Sequence, residues 1–181
     1  MLQIITDRLI IRPFKTADHD QLQTIILDPE IMKYVRYRDT KTSENFTKLF
    51  EEHFLKEQQT SFAIEEKATN EVIGFYEFHP ENNVGILTYA LSKKAWGHGY
   101  VAEVGNAMMQ YGFEVLNLDK IEAHYANLNP NSGKVMLKMG MRDLGSIETF
   151  VSPDDGVEIK VMAYELTKAD WLNDNKQQRA V

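Results

Sequence analysis

The chain has 181 residues, of which 43% are hydrophobic, with a formal net charge of −7 and no cysteine. That composition predicts one domain with a sizeable core and contains no apolar run long enough to span a membrane. The missing cysteine excludes disulfides and thiolate catalysis, and the acidic balance disfavours a nucleic-acid binder. We therefore expect a cytoplasmic protein that acts on neither nucleic acid nor membrane.

Strand and helix signals alternate in the first part of the chain. The β-branched and apolar run RLIIRPF predicts a first strand over residues 8–14. A first helix follows and ends before Pro29, and Thr42 or Ser43 is the candidate cap of a second helix. The apolar face of this second helix repeats at three- and four-residue steps and consists of Phe46, Leu49, Phe50 and Phe54.

Three strand patterns and a longer helix follow. Residues 61–66 and 72–78 flank the polar turn KATNE, which is typical of a hairpin, and residues 84–91 follow the turn HPENN. From Val101 the apolar residues recur at helical spacing, which predicts an amphipathic helix of about four turns.

The last third of the chain contains a short strand at residues 121–126, a short helix ending near Gly140, and two strands around the turn SPDDG. A polar tail over residues 173–181 is expected to fray. The order β-α-α-β-β-β-α-β-α-β-β, without repeat or linker, predicts a single domain over residues 1–181. We expect an α/β (α+β) fold in which a mixed sheet carries helices on its faces.

The stretch SKKAWGHGYVAE, residues 92–103, joins a predicted strand to a predicted helix and contains Gly97 and Gly99. The first backbone N–H groups of a helix lack internal partners, and the helix dipole adds positive potential there. Because glycines keep side chains away from these groups, the stretch predicts a cradle for a phosphate or pyrophosphate. The dinucleotide pattern has Ala102 at its third position and comes late in the chain, so a dinucleotide-binding oxidoreductase ranks last among the hypotheses.

The segment KAWGHGYVAE resembles the acetyl-CoA-binding signature of the GNAT acyltransferases, with Gly97 and Gly99 at its glycine positions and Lys94 as a departure where the signature has Arg or Gln. Its fuller form, W-G-x-G-[YL]-x-x-E, is similar to the RimJ/RimL branch, which acetylates the N-termini of ribosomal proteins. TDRLIIRPF resembles the opening strand of that branch, and LTKADW resembles its end. Asn129 and Ser132 match its N-x-x-S segment. The resemblance covers nearly the whole chain.

This resemblance implies a single-domain GNAT fold, a strongly twisted sheet whose middle strands splay into a V, with helices on both faces. Acetyl-CoA would lie in the V as cosubstrate, and no metal is expected. The pantetheine arm would run along one strand, the pyrophosphate would bind the amides of the glycine stretch, and two polar residues would contact the arm from the other side. The residues implied for the pantetheine arm are Tyr89, Ala90 and Leu91, and those implied for the pyrophosphate are Trp96, Gly97, His98, Gly99, Tyr100 and Val101. The two polar residues on the other side of the arm are Asn129 and Ser132.

Acetyl transfer to an amine requires a base for the amine and an acid for the leaving thiolate. The resemblance assigns the base to a strand glutamate, but Ile86 occupies that position. Glu77 is the predicted replacement, with His79 beside it; the competing interpretation is a solvent-facing strand carboxylate and a turn histidine. Ser132 is the predicted acid, and its competing role is helix N-cap.

Residues 29–43 are expected to form the acceptor-side wall, where Tyr34 and Arg36 would bind the acceptor or lie at its rim. The predicted activity is direct acetylation, in a ternary complex, of a protein N-terminus or a small-molecule amine by a monomer or homodimer. The missing strand glutamate motivates an alternative, a catalytically weak acyl-CoA-binding or regulatory module.

Overall fold

The computed structural model of the protein describes residues 3–153 and 155–179, except for the side chains of residues 175–179. Its strands are β1 (Ile4–Ile5), β2 (Leu9–Arg12), β3 (Ser61–Glu66), β4 (Glu71–Glu81), β5 (Val84–Leu91), β6 (Lys120–Ala126), β7 (Arg142–Val151) and β8 (Glu158–Thr167). Its α-helices are α1 (His19–Ile26), α2 (Ser43–Leu49), α3 (Tyr100–Glu114), α4 (Pro130–Lys138) and α5 (Lys168–Arg179). Among the described residues, no helix has the length and apolar character needed to cross a membrane.

The eight strands are hydrogen-bonded in the order β1-β2-β3-β4-β5-β6-β8-β7. Strands β5 and β6 are parallel, whereas β1-β2, β2-β3, β3-β4, β6-β8 and β7-β8 are antiparallel pairs. The sheet is therefore mixed, and the predicted α/β architecture is confirmed.

The order of elements predicted from the sequence is also observed, with two additions. Strand β1 has only two residues, too short for any hydrophobic period to reveal it. Helix α5 extends to Arg179 where the sequence indicates a single turn, because beyond Leu172 it has no apolar stripe. Residues 180 and 181 of the predicted frayed tail lie outside the described residues, and the fraying stays a prediction.

The chain divides into two compact units. The first unit comprises the chain up to Phe78 together with Thr88–Ala107, and the second comprises His79–Leu87 and the chain from Met108. The parallel register of β5 with β6 joins residues 84–87 to residues 120–123 and lies in the second unit. The splayed V between the middle strands stays a prediction.

In the first unit, the core is an aromatic cluster between α1, α2 and one face of the sheet. Helix α2 begins after Thr42, whose side chain accepts a hydrogen bond from the N–H of Asn45 at 3.1 Å, and continues into a π-helical turn, Phe50–Phe54. The predicted apolar face is confirmed. Its buried members pack with residues of β3 and β4, and the cluster includes Phe14, Phe46, Phe50, Phe54, Ala63 and Phe75.

The core of the second unit lies around β6, where Ile121 and Ala123 are fully buried. Helix α4 packs on this strand through Gly133, where a Cβ atom would lie 2.7 Å from the hydroxyl oxygen of Tyr125. The helix ends as predicted, since Gly140 has a φ of 77° just beyond its last turn.

Candidate functional site

The glycine turn, residues 96–99, leads into α3. Gly97 and Gly99 have φ values of 78° and 77°, a region that side chains other than hydrogen disfavour. A Cβ atom at Gly97 would meet nothing within 4 Å, and one at Gly99 would meet only Nη2 of Arg8, at 4.0 Å. Backbone conformation therefore requires both glycines, and the space in front of them within this unit is open.

Helix α3 presents its N-terminus directly after this turn. The first N–H groups of a helix have no partner inside it, so Tyr100 and Val101 bring donors and positive potential to the turn. The indole N–H of Trp96 donates to the carbonyl oxygen of Leu91 at 2.9 Å, and the ring of His98 stacks on that of Tyr100 at 5.4 Å. The predicted pyrophosphate-binding residues thus surround one helix N-terminus, an arrangement suited to an anion.

Glu103 ties the first turn of α3 to the start of β2. Its carboxylate accepts hydrogen bonds from the Thr6 hydroxyl and from the Arg8 backbone N–H, at 3.0 Å for the latter, and forms an ion pair with the Arg8 guanidinium at 2.7 Å. Burial works to raise the pKa of Glu103, but the hydrogen bonds and charge of Thr6 and Arg8 outweigh it and lower that pKa. Thr6 and Arg8 of the opening motif are therefore in direct contact with Glu103, the final glutamate of the glycine motif.

The side chain of Tyr100 is held from two sides. Its hydroxyl donates to Glu66 at 2.7 Å, and the Arg8 guanidinium lies 4.4 Å from its ring centroid. The hydrogen bond to Glu66 raises the pKa of Tyr100, and the same bond lowers the pKa of Glu66. These contacts fix the residue at which the glycine turn becomes a helix.

Substituting Glu103 with glutamine is expected to lower the free energy of unfolding by about 1 kcal/mol at neutral pH, because a charged acceptor of three donors is lost. The folded pKa of Glu103 lies below the unfolded value, so its ionised form stabilises the protein above the unfolded pKa. This contribution disappears as the pH falls through the folded pKa. Urea unfolding at several pH values between about 7 and about 3, a range that brackets the ordinary glutamate pKa, should therefore show a wild-type advantage that shrinks in acid. An advantage independent of pH would contradict the assignment.

The strand residues predicted to hold the pantetheine arm lie at the end of β5. Ala90 and Leu91 are buried, and a Cβ atom at Gly74 of β4 would lie 2.3 Å from the carbonyl oxygen of Ala90. Tyr89 is half-buried and stacks on Tyr76, with ring centroids 5.9 Å apart and planes 10° apart. The backbone here is thus fixed by close packing on β4, which makes it a rigid edge.

Asn129 and Ser132 lie in contact in the second unit. The Asn129 amide donates to the Ser132 hydroxyl oxygen at 3.1 Å. Asn129 is the N-cap of α4 and Pro130 its first residue, so the N-cap role considered for Ser132 is wrong. The Ser132 hydroxyl accepts from the amide and keeps its own proton for donation.

Glu77 is fully buried on β4, so the interpretation of a solvent-facing carboxylate is wrong. Its carboxylate accepts hydrogen bonds from the hydroxyl groups of Tyr37 at 2.6 Å and Ser61 at 2.7 Å. Nε2 of His53 lies 2.7 Å from the same carboxylate and 3.0 Å from the Tyr37 hydroxyl. We refer to Glu77, Tyr37, Ser61 and His53 as the Glu77 cluster.

Tyr37 remains a donor in this cluster because burial, and then the charge of Glu77, raise its pKa well above the ordinary value. It comes from the predicted acceptor-side wall, residues 29–43, where the sequence favoured Tyr34 and Arg36 instead. Arg36 is exposed, and Tyr34 is half-buried with the Lys33 ammonium 5.2 Å from its ring centroid. The loop therefore directs Tyr37, and neither predicted residue, into the Glu77 cluster.

Sequence analysis did not identify His53. It lies in the π-helical turn between two buried phenylalanines, where the run of apolar residues indicates core packing alone. The sequence nonetheless contained an indication of its role. A histidine next to an apolar helix face needs a polar partner where it is buried, which predicts a hydrogen bond to another segment. π-helical turns also occur frequently at functional sites.

Comparison with known proteins decides the family. A family model described as an acetyltransferase (GNAT) domain matches residues 8–142, most of the chain. The chain belongs to the GNAT acetyltransferase family. It is accordingly an acyltransferase.

Relatives of this GNAT domain include an N-acetyltransferase named p20 from Bacillus licheniformis, 29% identical over 94% of this chain and 99% of its own length. The FsC-acetyl coenzyme A-N(2)-transacetylase of Aspergillus fumigatus is 27% identical over 94% of this chain and 78% of its own. Among solved structures, a GNAT acetyltransferase from Bacillus anthracis is similar with a TM-score of 0.80 and 23% identity, covering 93% of this chain and 99% of that one. Spermidine N-acetyltransferase from Vibrio cholerae, in complex with CoA and spermine, has a TM-score of 0.77 and 20% identity, covering 92% and 99%.

In this GNAT domain, the strand position at which the resemblance places a glutamate is Ile86, whose neighbour across the parallel register is Glu122 of β6. The Glu122 carboxylate lies 2.6 Å from the Lys120 ammonium, and the hydrogen bond to Lys120 lowers its pKa. His79 is half-buried near the end of β4. In the described part of the chain, no group of three or more His, Asp or Glu side chains is arranged to hold a metal ion.

Proposed function

We propose that this GNAT domain is an acetyl-CoA-dependent N-acetyltransferase of the RimJ/RimL-like branch that acetylates a primary amine by direct attack in a ternary complex. The observation that carries the proposal is the glycine turn, whose two positive φ values and open front lie at the N-terminus of a 15-residue helix. The contact of Thr6 and Arg8 with Glu103 supports the branch, because it unites two of its motifs.

The residues present are compatible with CoA. Its pyrophosphate would accept hydrogen bonds from the amides of residues 96–101, where no Cβ atom intervenes at the two glycines. Its pantetheine arm would follow the rigid edge of residues 89–91, and Asn129 and Ser132 stay the contacts to the arm that the family resemblance implies. Lys94, which stands where the family signature has Arg or Gln, is exposed and paired with Glu71.

We propose that the acceptor is a small cationic amine or a peptide N-terminus, bound beside the loop that carries Tyr34 and Arg36. The acidic net charge of −7 favours a cationic acceptor over an anionic one. The spermine bound in the similar Vibrio cholerae enzyme and the N(2)-transacetylase name of the fungal relative make small amines the first class to test.

In the chemistry we propose, the Ser132 hydroxyl donates a proton to the departing thiolate. The amine must also lose a proton, and Glu77 supplies the negative charge that favours its removal. Because Glu77 is enclosed by three hydrogen-bonding neighbours, it acts on an external amine only through a member of its own cluster. Holding donor and acceptor close together lowers the activation barrier further, by up to about 7–11 kcal/mol in well-oriented reactions.

We place the enzyme in the cytoplasm as a monomer or homodimer. The absence of cysteine is in keeping with a reducing compartment, where disulfides are not needed. A Vibrio cholerae spermidine N-acetyltransferase of similar fold is described as dodecameric, so light scattering at several protein concentrations is the appropriate measurement.

The test is thiol release from acetyl-CoA by purified protein with spermidine, spermine, an aminoglycoside and a synthetic tetrapeptide with a free amino terminus, with CoA affinity measured in parallel. We expect CoA binding and turnover with one acceptor class. CoA binding without turnover of any amine would favour the alternative of an acyl-CoA-binding module. Failure to bind CoA would overturn the proposal, and NAD(P)H binding in its place would support the oxidoreductase hypothesis.

A further inference from the structure

The Glu77 cluster connects a buried carboxylate to the protein surface through one side chain. The side chain of Glu77 is 1% exposed, whereas that of His53, 2.7 Å away, is 28% exposed. Ser61 is buried beneath the carboxylate and Tyr37 beside it. His53 is therefore the member of the cluster through which Glu77 can act on a molecule outside.

The hydrogen bonds of the cluster assign the tautomer of His53. The Tyr37 hydroxyl has one proton and donates it to Glu77, so the Tyr37 oxygen accepts from the imidazole 3.0 Å away. The Glu77 carboxylate only accepts, so Nε2 of His53 is the donor to it as well. With the proton on Nε2, the lone pair of the neutral ring lies on Nδ1.

We propose that His53 is the general base of acetyl transfer, and that Glu77 is the positioning carboxylate that fixes its tautomer and stabilises its protonated form. This assignment rests on the proposed function and extends it to a residue that the family resemblance does not name. A histidine oriented by a buried carboxylate is the arrangement that proton abstraction requires in other enzymes.

The proposed step begins with the acceptor as an ammonium ion. One proton passes from its nitrogen to Nδ1 of His53, giving a neutral amine and an imidazolium ion. The nitrogen lone pair attacks the thioester carbonyl carbon of acetyl-CoA, the C–N bond forms and the C–S bond breaks. The thiolate receives the proton of the Ser132 hydroxyl, the second proton of the nitrogen is lost as the amide forms and restores that hydroxyl, and His53 returns its proton to water. The net products are the N-acetyl amine, free CoA and one proton.

Glu77 of β4 and Tyr37 of the loop after α1 both face the imidazole from other elements. Glu77 stabilises the imidazolium, and Tyr37 remains neutral; Arg36 lies near enough to Tyr37 to act on its pKa in the lowering direction. Near His53 in its own segment of the chain, Glu52 and Lys56 are exposed, and water and salt screen their charges.

Glu122, beside Ile86, is the rival base. Its carboxylate is held by the Lys120 ammonium at 2.6 Å, and that contact lowers its pKa. A carboxylate whose charged form is stabilised in this way is a weaker proton acceptor. His53 differs from Glu122, because it contacts a buried carboxylate that holds its ring in place.

The experiment compares wild type with His53→Gln, which keeps an amide N–H for Glu77 but cannot accept the proton. Acetyl-CoA is used with spermidine and, separately, with the tetrapeptide, and kcat/KM is recorded against pH. We expect a loss of about 100-fold or more at pH 7, loss of the acidic limb of the profile and partial recovery on adding free imidazole. CoA affinity should not change, because no residue of the glycine turn is altered.

His19→Gln is the matched control. His19 has nearly the same side-chain exposure, 27%, and also contacts a carboxylate at 2.8 Å and a hydroxyl at 3.0 Å. Its carboxylate partner, Asp20, is exposed rather than buried. The control should retain both rate and pH profile.

Separate outcomes distinguish the two proposals. A wild-type protein that acetylates neither probe overturns the proposed function, and the assignment of His53 falls with it. An active wild type with an equally active His53→Gln, or with an unchanged acidic limb, overturns the assignment alone. Should His53→Gln not fold, ¹⁵N NMR of the wild type gives the tautomer directly: a neutral ring protonated at Nδ1 overturns the proposal, and one protonated at Nε2 supports it.

Discussion

Replacing Gly97 with glutamate is expected to weaken CoA binding about 100-fold while the fold survives. A carboxylate about 5 Å from a phosphate costs about 3 kcal/mol at an effective dielectric constant of about 20, which corresponds to that factor. A Cβ atom at this position would meet nothing within 4 Å, so the new side chain starts in the open front of the glycine turn and not against the core. Isothermal titration with CoA is the measurement.

Gly156→Glu is the matched control for this substitution. Gly156 is exposed, has a φ of 70° and also has open space around its Cβ position, so the strain and the added charge are the same. It lies in the β7–β8 hairpin of the second unit, far from the proposed cradle in the sequence. Wild-type affinity in Gly97→Glu would remove the pyrophosphate assignment, and equal losses in both variants would attribute the effect to net charge.

The fold was predictable from sequence because most of its elements carry their own local signal. The hairpin strands β3 and β4 flank a polar turn, and α3 has an apolar stripe at helical spacing. The two-residue β1 and the polar α5 carry no such period. The π-helical turn after α2 preserves an apolar face, so spacing alone does not distinguish it from an α-helix.

The site was predictable only where its residues are adjacent in the chain. The glycine turn is a single segment, and its conformation follows from its composition. By contrast, Thr6 and Glu103 are 97 positions apart, and the sequence supplied both motifs without showing that they touch. Contacts of this kind depend on the assembled sheet and helices, which no local pattern encodes.

The burial of Glu77 was missed for a related reason. A strand with one solvent-facing side shows alternating polar and apolar residues, but residues 72–78 of β4 are buried throughout. A single glutamate between aromatic residues in such a strand suggests a solvent-facing side chain, because the residues that hydrogen-bond to it when it is buried are not near it in the sequence. Here they come from three distant segments, which supply Tyr37, His53 and Ser61.

Arg12, at the end of strand β2, contributes to stability through a buried ion-pair network, and its replacement is expected to cause the largest loss of folding free energy. Arg12→Met is expected to lower the free energy of unfolding by about 3–5 kcal/mol, a large part of the about 5–15 kcal/mol of a typical domain. The Arg12 guanidinium donates to both carboxylate oxygens of Asp18, at 2.7 and 2.9 Å, and to Glu65 at 2.7 Å, and the three side chains are largely buried. Removing the cation leaves two carboxylates without their partner in a region of low dielectric.

Urea unfolding of Arg12→Met beside Arg142→Met tests this argument, because Arg142 also pairs with a glutamate but its side chain is 69% exposed. An exposed pair is worth about 1 kcal/mol or less, so the control should remain close to wild type. Adding Asp18→Asn and Glu65→Gln to Arg12→Met should recover part of the loss, because the uncompensated charges are then gone. Equal effects of the two methionine variants would mean that burial adds nothing to the ion pairs of Arg12, which would contradict the argument.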